Sequence, residues 1–416
     1  MPTYLAPGVF VEELDGGSKP LEAAGTAVGA FVGYTAKFPT DDTDDPRGLK
    51  PRFVSNWTQF EGLYGGFAPG LVLPQSVYGW FNNGGGGAYI SRIPNTNEDA
   101  ENPTPIAVGA DDFIGSESAR TGINGLVVCD DVTMVMVPDL ITAVRNDAGE
   151  IDLVTFQAVQ SALISHCEKT GDRMAVLDSP PAMGPTQVQE WRSAVAMYDS
   201  KFATLYYPWI KVSNPFAKPD NDEPKMITIP PSGHVAGIWA RNDATRGVWK
   251  APPNEVVRAA LDVELKMTTQ EQELLNPIGV NCIRPFGTRG TRIWGARTLT
   301  SDPSWRYVNV RRLFNFIEKT ILMGTNWVVF EPNDVALWQR VKRTINSFLI
   351  GLWRSGALAG TTPDQAFYVK CDAETNPQSS IDEGKLVVEI GLAPVKPAEF
   401  VIFRISQWQG GAGAAE

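Results

Sequence analysis

A chain of 416 residues, 43% hydrophobic and 20% charged, has an ordinary soluble composition and is long enough for two or three domains. Its net charge of −11 argues against nucleic-acid binding as the main task, because phosphate contacts need a dominant cationic surface. Cys129, Cys167, Cys282 and Cys371 form no Cys-x-x-Cys pair, which predicts buried free thiols and neither a zinc site nor a disulfide framework. No cofactor is expected. The start lacks a charged stretch followed by an apolar one, and no apolar run approaches the roughly 18 to 20 residues that span a bilayer, so the expectation is a protein kept in a cytoplasm.

In chain order, Val9, Phe10 and Val11 follow a Pro7-Gly8 turn and precede Gly16-Gly17, which predicts a short strand on a flexible stalk. Residues 26–34 read as a small-residue strand. Gly29 and Gly33 are not followed by Lys-Ser or Lys-Thr, so no P-loop is indicated. The run Gly84-Gly85-Gly86-Gly87 precedes a strand at 88–93 and not a helix, which makes a helix-to-strand turn the simpler account than an anion site.

Between residues 126 and 207 short apolar runs alternate with helical patterns. Leu126-Val127-Val128, Met174-Ala175-Val176-Leu177 and Ala203-Thr204-Leu205-Tyr206 read as strands. Phe156, Val159 and Leu163 mark one helix face; Val188, Trp191, Val195 and Tyr198 mark another. This alternation predicts a sheet with parallel strands covered by helices. Asp178, just past the second run, stands where α/β enzymes place catalytic groups and is the one enzymatic lead, that of an α/β hydrolase.

Two histidines are available as bases. His166 falls off its apolar face and reads as a solvated surface residue; His234 reads as a loop residue with a local hydrogen bond. The stretch 211–231 is a peripheral loop or hairpin, and residues 254–265 read as a helix capped by Asn254. The arginines of 284–300 could hold an anion, although bonding to loop carbonyls or carboxylates is the commoner use.

The last quarter is the most informative. Val310, Leu313, Phe314, Ile317 and Ile321 recur at helical spacing, with Gly324 as a stop. A second helix begins at Asn333 or Asp334 and runs to about Ser355. Leu337, Trp338, Val341, Ile345, Phe348, Leu349 and Leu352 share one face, while Arg340, Arg343 and Arg354 gather opposite. Residues 305–354 hold eight basic and three acidic side chains, a local +5 within an acidic chain. That inversion suggests an acidic partner; a solvated helix face is the plain alternative. Residues 398–406 form an apolar, β-prone run followed by a Gly/Ala tail, as in a terminal strand that nothing covers. Such a strand invites pairing with another subunit, or with the N-terminal strand of its own chain.

Gly295-Ala296-Arg297-Thr298, Tyr307-Val308-Asn309-Val310-Arg311-Arg312, Phe330-Glu331-Pro332-Asn333-Asp334, Gly356-Ala357-Leu358-Ala359-Gly360 and Pro394-Val395-Lys396-Pro397-Ala398-Glu399-Phe400 form an ordered series. It resembles the tail sheath proteins of contractile phage tails and contractile injection systems. Pro7-Gly8-Val9-Phe10-Val11-Glu12-Glu13 is similar to the start of those proteins. The resemblance implies a mixed α/β fold with four parts: an N-terminal arm at 1–22, an outer α/β domain at 23–290 with a possible division near 100–120, an inner α+β assembly domain at 291–397, and a C-terminal arm at 398–416. It implies no catalysis, but a helical polymer that contracts around a tube, with further copies, an inner tube protein, baseplate and cap proteins as partners, assembled in a bacterial cytoplasm. Membrane insertion is not expected.

The candidate residues follow. Strand exchange between subunits falls to Val9, Phe10, Val11, Phe400, Val401, Ile402, Phe403 and Ile405. Contact with the tube falls to Arg340, Arg343 and Arg354, with Arg311 and Arg312 as second choice. A hydrolase centred on Asp178 and a monomeric ligand-binding protein are the competing classes.

Overall fold

The computed structural model describes residues 21–94, 96, 108–140 and 151–404. Its main body is an eight-stranded sheet. In chain order the strands are β1 (Val28–Gly33), β2 (Arg52–Val54), β3 (Gly87–Arg92), β4 (Met134–Met136), β5 (Met174–Asp178), β6 (Ala203–Tyr207), β10 (Val280–Pro285) and β11 (Thr291–Ile293). Their spatial order is β11-β10-β6-β5-β4-β1-β3-β2. Every neighbouring pair from β10 through β3 is parallel; the short outer strands β2 and β11 pair antiparallel. Strands β5 and β6 are buried along their whole length, as parallel strands covered on both faces must be. The mixed α/β expectation therefore holds.

Helix α1 (Trp57–Tyr64), α2 (Leu73–Asn83), α3 (Leu153–Thr170), α4 (Pro185–Glu190) and α5 (Ser232–Arg246) cover this sheet. Helices α2 and α5 cross through glycines: a Cβ on Gly233 would lie 2.4 Å from the Ser76 carbonyl oxygen, and one on Gly79 would lie 2.2 Å from the His234 ring. No larger residue fits at that crossing without moving a backbone. Helix α2 ends at Gly84 with φ of 114°, so the four-glycine run is the helix-to-strand turn expected of it.

Several local expectations fail for identifiable reasons. Leu126, Val127 and Val128 form a 3-10 turn with Val128 exposed, and the strand between β1 and β5 is instead the fully buried β4. A π-helical turn at Trp191–Ala196 shifts the face that continues α4, leaving Val195 exposed while Val188, Trp191 and Tyr198 are buried. Residues 254–265 are not helical. Asn254 and Ala259 have φ of 70° and 65°, and the segment bonds alongside β11 through Asn254 N–H to the Ile293 carbonyl (2.8 Å) and Val257 N–H to the Thr291 carbonyl (2.9 Å). It ends in β9 (Asp262–Val263), which pairs with β7 (Ile210–Ser213). Strands β7 and β8 (Met226–Ile229) form the expected peripheral hairpin. All four cysteines are buried free thiols.

The two amphipathic helices of the last quarter are α6 (Val308–Gly324) and α7 (Val335–Arg354). With β12 (Phe367–Lys370) and β13 (Glu389–Leu392) they enclose a second core that includes Leu313, Ile317, Leu337, Trp338, Ile345 and Leu349. The main core is separate and runs from Ala30 to Val308. Strands β12 and β13 pair antiparallel, Phe367 opposite Leu392 and Lys370 opposite Glu389, in a sheet of only two described strands.

Candidate assembly surface

Helix α7 starts where Asp334 accepts the Leu337 N–H at 2.8 Å, and Asn333 accepts the Trp338 indole N–H at 2.8 Å, which fixes the helix entry. Leu337, Trp338, Val341, Ile345, Leu349 and Leu352 are buried on one face. Arg340, Arg343 and Arg354 are exposed, within about 60° of one another around the axis at 100° per residue. Arg340 lies 3.0 Å from Glu331 and over the Trp327 ring, and Arg343 donates to the Gln339 carbonyl at 3.3 Å. Arg354 in the last turn suits the negative end of the helix dipole.

The arginines of α6 behave differently, and this corrects the second choice made for tube contact. Arg311 is 2% exposed: its guanidinium donates to Asn315 (2.6 Å) and Glu318 (2.9 Å) and lies over the rings of Trp305 and Phe202. Arg312 is 5% exposed and forks onto Asp243 at 2.5 and 2.9 Å, with a further bond to the Thr26 carbonyl at 3.0 Å. Arg312 ties α6 to the main body through Asp243 and Thr26, whereas Arg311 bonds within α6 and meets the main body through the Phe202 ring; neither is directed outward.

The described stretches nearest the two termini are stitched to the body at definite points. At the front, Ala24 N–H donates to the Thr320 hydroxyl at 3.1 Å, and the Thr26 carbonyl accepts from Thr133 as well as Arg312. Val9, Phe10, Val11 and Ile405 lie outside the described residues. At the back, Asn309 donates to the Val395 carbonyl at 3.2 Å, and Glu399 then accepts four hydrogen bonds. Two come from Arg297 (2.9 and 2.8 Å), one from Asn276 (2.8 Å) and one from the Tyr307 hydroxyl (3.0 Å). Burial alone would raise the Glu399 carboxyl, but the bonds from Arg297 and Asn276 outweigh it and hold the group below its ordinary range. Phe400, Val401, Ile402 and Phe403 follow at 69–82% exposure and pair with no strand among the described residues.

Sequence reasoning missed this four-bond clamp. Arg297, Tyr307 and Glu399 each stood in a quoted motif, yet nothing in their spacing says that they meet.

Asp178, the enzymatic lead, lies in the closed interior. Asp178 is buried, accepts the Ser232 N–H at 2.8 Å, and is pushed by burial up to about 7. The cavity beside it, lined by Phe156, Val159 and Leu163 among others, holds about 10 Å³, no more than a single water. His234 is not in a loop but in the first turn of α5, 1% exposed against Gly79 and pushed down to about 4 by burial. His166 is not solvated either: it is 4% exposed, with Nε2 3.4 Å from an Arg173 guanidinium nitrogen. Burial and that cation push it down to about 4, so it stands neutral, with Nε2 facing the donor. Among the described residues no group of His, Cys, Asp and Glu could hold a metal ion, and no helix is long and apolar enough to cross a membrane.

Residues 145–299 match the family model for the phage tail sheath protein central domain, and residues 300–407 match that for the phage tail sheath C-terminal domain. A sheath complex of an extracellular contractile injection system, PVC, solved in the contracted state, is 30% identical with a TM-score of 0.74, covering 98% of this chain and 99% of that one. A chain of the anti-feeding prophage baseplate is 28% identical with a TM-score of 0.72, covering 97% and 99%. The tail sheath protein of Vibrio phage KVP40 is 24% identical over 351 residues, 79% of this chain, which spans 50% of that protein's length. The match runs through both cores and both family domains, and the chain belongs to the phage tail sheath family.

Proposed function

We propose that the protein polymerises into a helical sheath around a narrower protein tube, and that concerted shortening of this sheath drives the tube through a target envelope. The observation that carries this reading is the bare apolar run at Phe400, Val401, Ile402 and Phe403, set beside a two-stranded sheet, β12–β13, whose outer edges pair with no described strand. An uncovered, strand-prone segment and an unfilled sheet edge in one molecule are complementary between copies. A contact of that kind is heterologous, and where its rotation does not close it builds an open helix. The residues Val9, Phe10, Val11 and Ile405 extend the same role at both ends. Backbone bonds worth about 0.5–1.5 kcal/mol each would then hold neighbours together while their bodies turn.

Arg340, Arg343 and Arg354 face the inner tube, whose surface is acidic where they touch. Baseplate and cap proteins close the two ends of the polymer, and the likeness to a chain of the anti-feeding prophage baseplate supports the first of these. Assembly takes place in a bacterial cytoplasm. Contraction runs on a metastable long form whose contacts are weaker than those of the short form, summed over many subunits. Electron microscopy of the purified protein tests the reading: helical tubes are expected, and a discrete particle of one chain would refute it. Contraction that required ATP would refute the metastable part.

A further inference from the structure

Both crossings between the main body and the C-terminal unit meet at one carboxylate. The chain enters that unit at Tyr307, directly before α6, and leaves it past Val395; Glu399 takes the Tyr307 hydroxyl and the Arg297 fork together. Arg297 belongs to the main body. Its backbone N–H and carbonyl both bond the side chain of Asn281 in β10 at 2.7 Å, its remaining guanidinium nitrogen bonds the Asn276 carbonyl at 3.1 Å, and it bridges Tyr307. The side chains of Arg297 and Glu399 are 12% and 18% exposed. The receptor for Glu399 is therefore rigid and largely dry, where a forked, charge-assisted pair is at its strongest.

We propose that this clamp is the anchor through which the C-terminal arm passes tension from a neighbouring subunit to the main sheet. The inference rests on arm exchange as proposed above. Without the clamp, a pull on residues 400–403 would fall on the single bonds that Val395 makes with Asn309 and Ala357, and behind them on β13. That strand meets β12 over four residue pairs, which would open one after another from the end. With it, the pull meets Glu399 first. Its four hydrogen bonds share the load at once, and the force enters β10 through Arg297 and Asn281. The main bodies can then move as rigid units while the small β12–β13 sheet stays paired. Glu399 is thus a positioning residue for the lattice, and the last described point at which the arm is bonded to its own body.

The test uses the full chain with Glu399→Ala, Glu399→Gln, the exchange Arg297→Glu with Glu399→Arg, and a chain lacking residues 400–416. Monomer unfolding is measured beside sheath yield and the fraction of sheaths left unbroken after triggered contraction. Glu399→Ala strips Arg297 of its counter-charge and is expected to lower monomer stability, while cutting intact contracted sheath at least about tenfold, more than that loss of stability accounts for. Glu399→Gln, which keeps the shape and loses the charge, should fall between, and the exchange should recover part of the yield. Sheaths of Glu399→Ala as abundant and unbroken as the parent's would overturn the proposal. So would a sheath defect that only follows an equal loss of monomer stability, since the clamp would then be a folding staple. If the chain lacking 400–416 polymerises normally, arm exchange itself is wrong; if that chain fails while Glu399→Ala succeeds, only the anchor is wrong.

Discussion

Helices α6 and α7 have the same design on paper, an apolar stripe with arginines elsewhere on the surface, yet their arginines have opposite fates. Helix α6 lies between two cores: Leu313 and Ile317 face the C-terminal one, while Val308 joins the main one. Arg311 and Arg312 are consequently buried and matched by Glu318 and Asp243. Among the described residues helix α7 has protein on one side only, and Arg340, Arg343 and Arg354 remain outside. A cation off an apolar stripe therefore faces a partner only when no second layer of the same chain covers it.

The largest effect expected from this contrast is at Arg312. Arg312→Ala would leave Asp243, whose side chain is 4% exposed, as a buried carboxylate without its cation, at a cost of about 3–5 kcal/mol in a denaturant titration. A loss under about 1 kcal/mol would mean that α6 is not held between two layers. Next comes Leu349→Ala in the fully buried face of α7, expected to cost about 2–5 kcal/mol and to test whether the second core is as tightly filled as the first.

A smaller effect concerns two carboxylates whose titration is governed by burial. Burial pushes Asp139 and Asp178 up to about 7, so between the ordinary aspartate range and pH 7 the folded chain holds protons that the unfolded chain has released. Their contribution to stability is fully present at low pH and falls as pH rises through about 7. Asp178→Asn should flatten part of that slope when unfolding midpoints are compared from pH 5 to pH 8; an unchanged slope would show that Asp178 stays ionised. The smallest change in stability belongs to the outward ridge. Arg340→Glu, Arg343→Glu and Arg354→Glu together should shift monomer stability by less than about 1 kcal/mol while sheath no longer forms on its tube. Unchanged assembly on the tube would remove the ridge from that contact.

Both helices, their apolar faces and the Asp334 cap were legible because an amphipathic helix and its cap are written within one short window. The parallel sheet was legible through β5 and β6, whose continuous apolar runs have few alternatives. Layering was not: whether Arg312 meets solvent or Asp243 depends on a residue 69 positions away. His166 and His234 failed for the same reason, since their burial comes from Arg173 and its surroundings in one case and from the bare backbone of Gly79 on another helix in the other. Residues 254–265 misled because Asn254, a good helix cap, also tolerates the left-handed conformation that it adopts. The Glu399 clamp was hidden by distance, with Arg297 102 positions earlier in the chain.

The short outer strands of the large sheet bear on how such a subunit survives before it is used. Strands β2 and β11 are three residues each, run against their neighbours and carry Arg52 and Arg292. Neither offers a straight row of open backbone groups long enough to recruit a second sheet. Freshly made copies crowded together thus have little means of pairing sheet to sheet through these two strands, which lowers the chance of a precipitate.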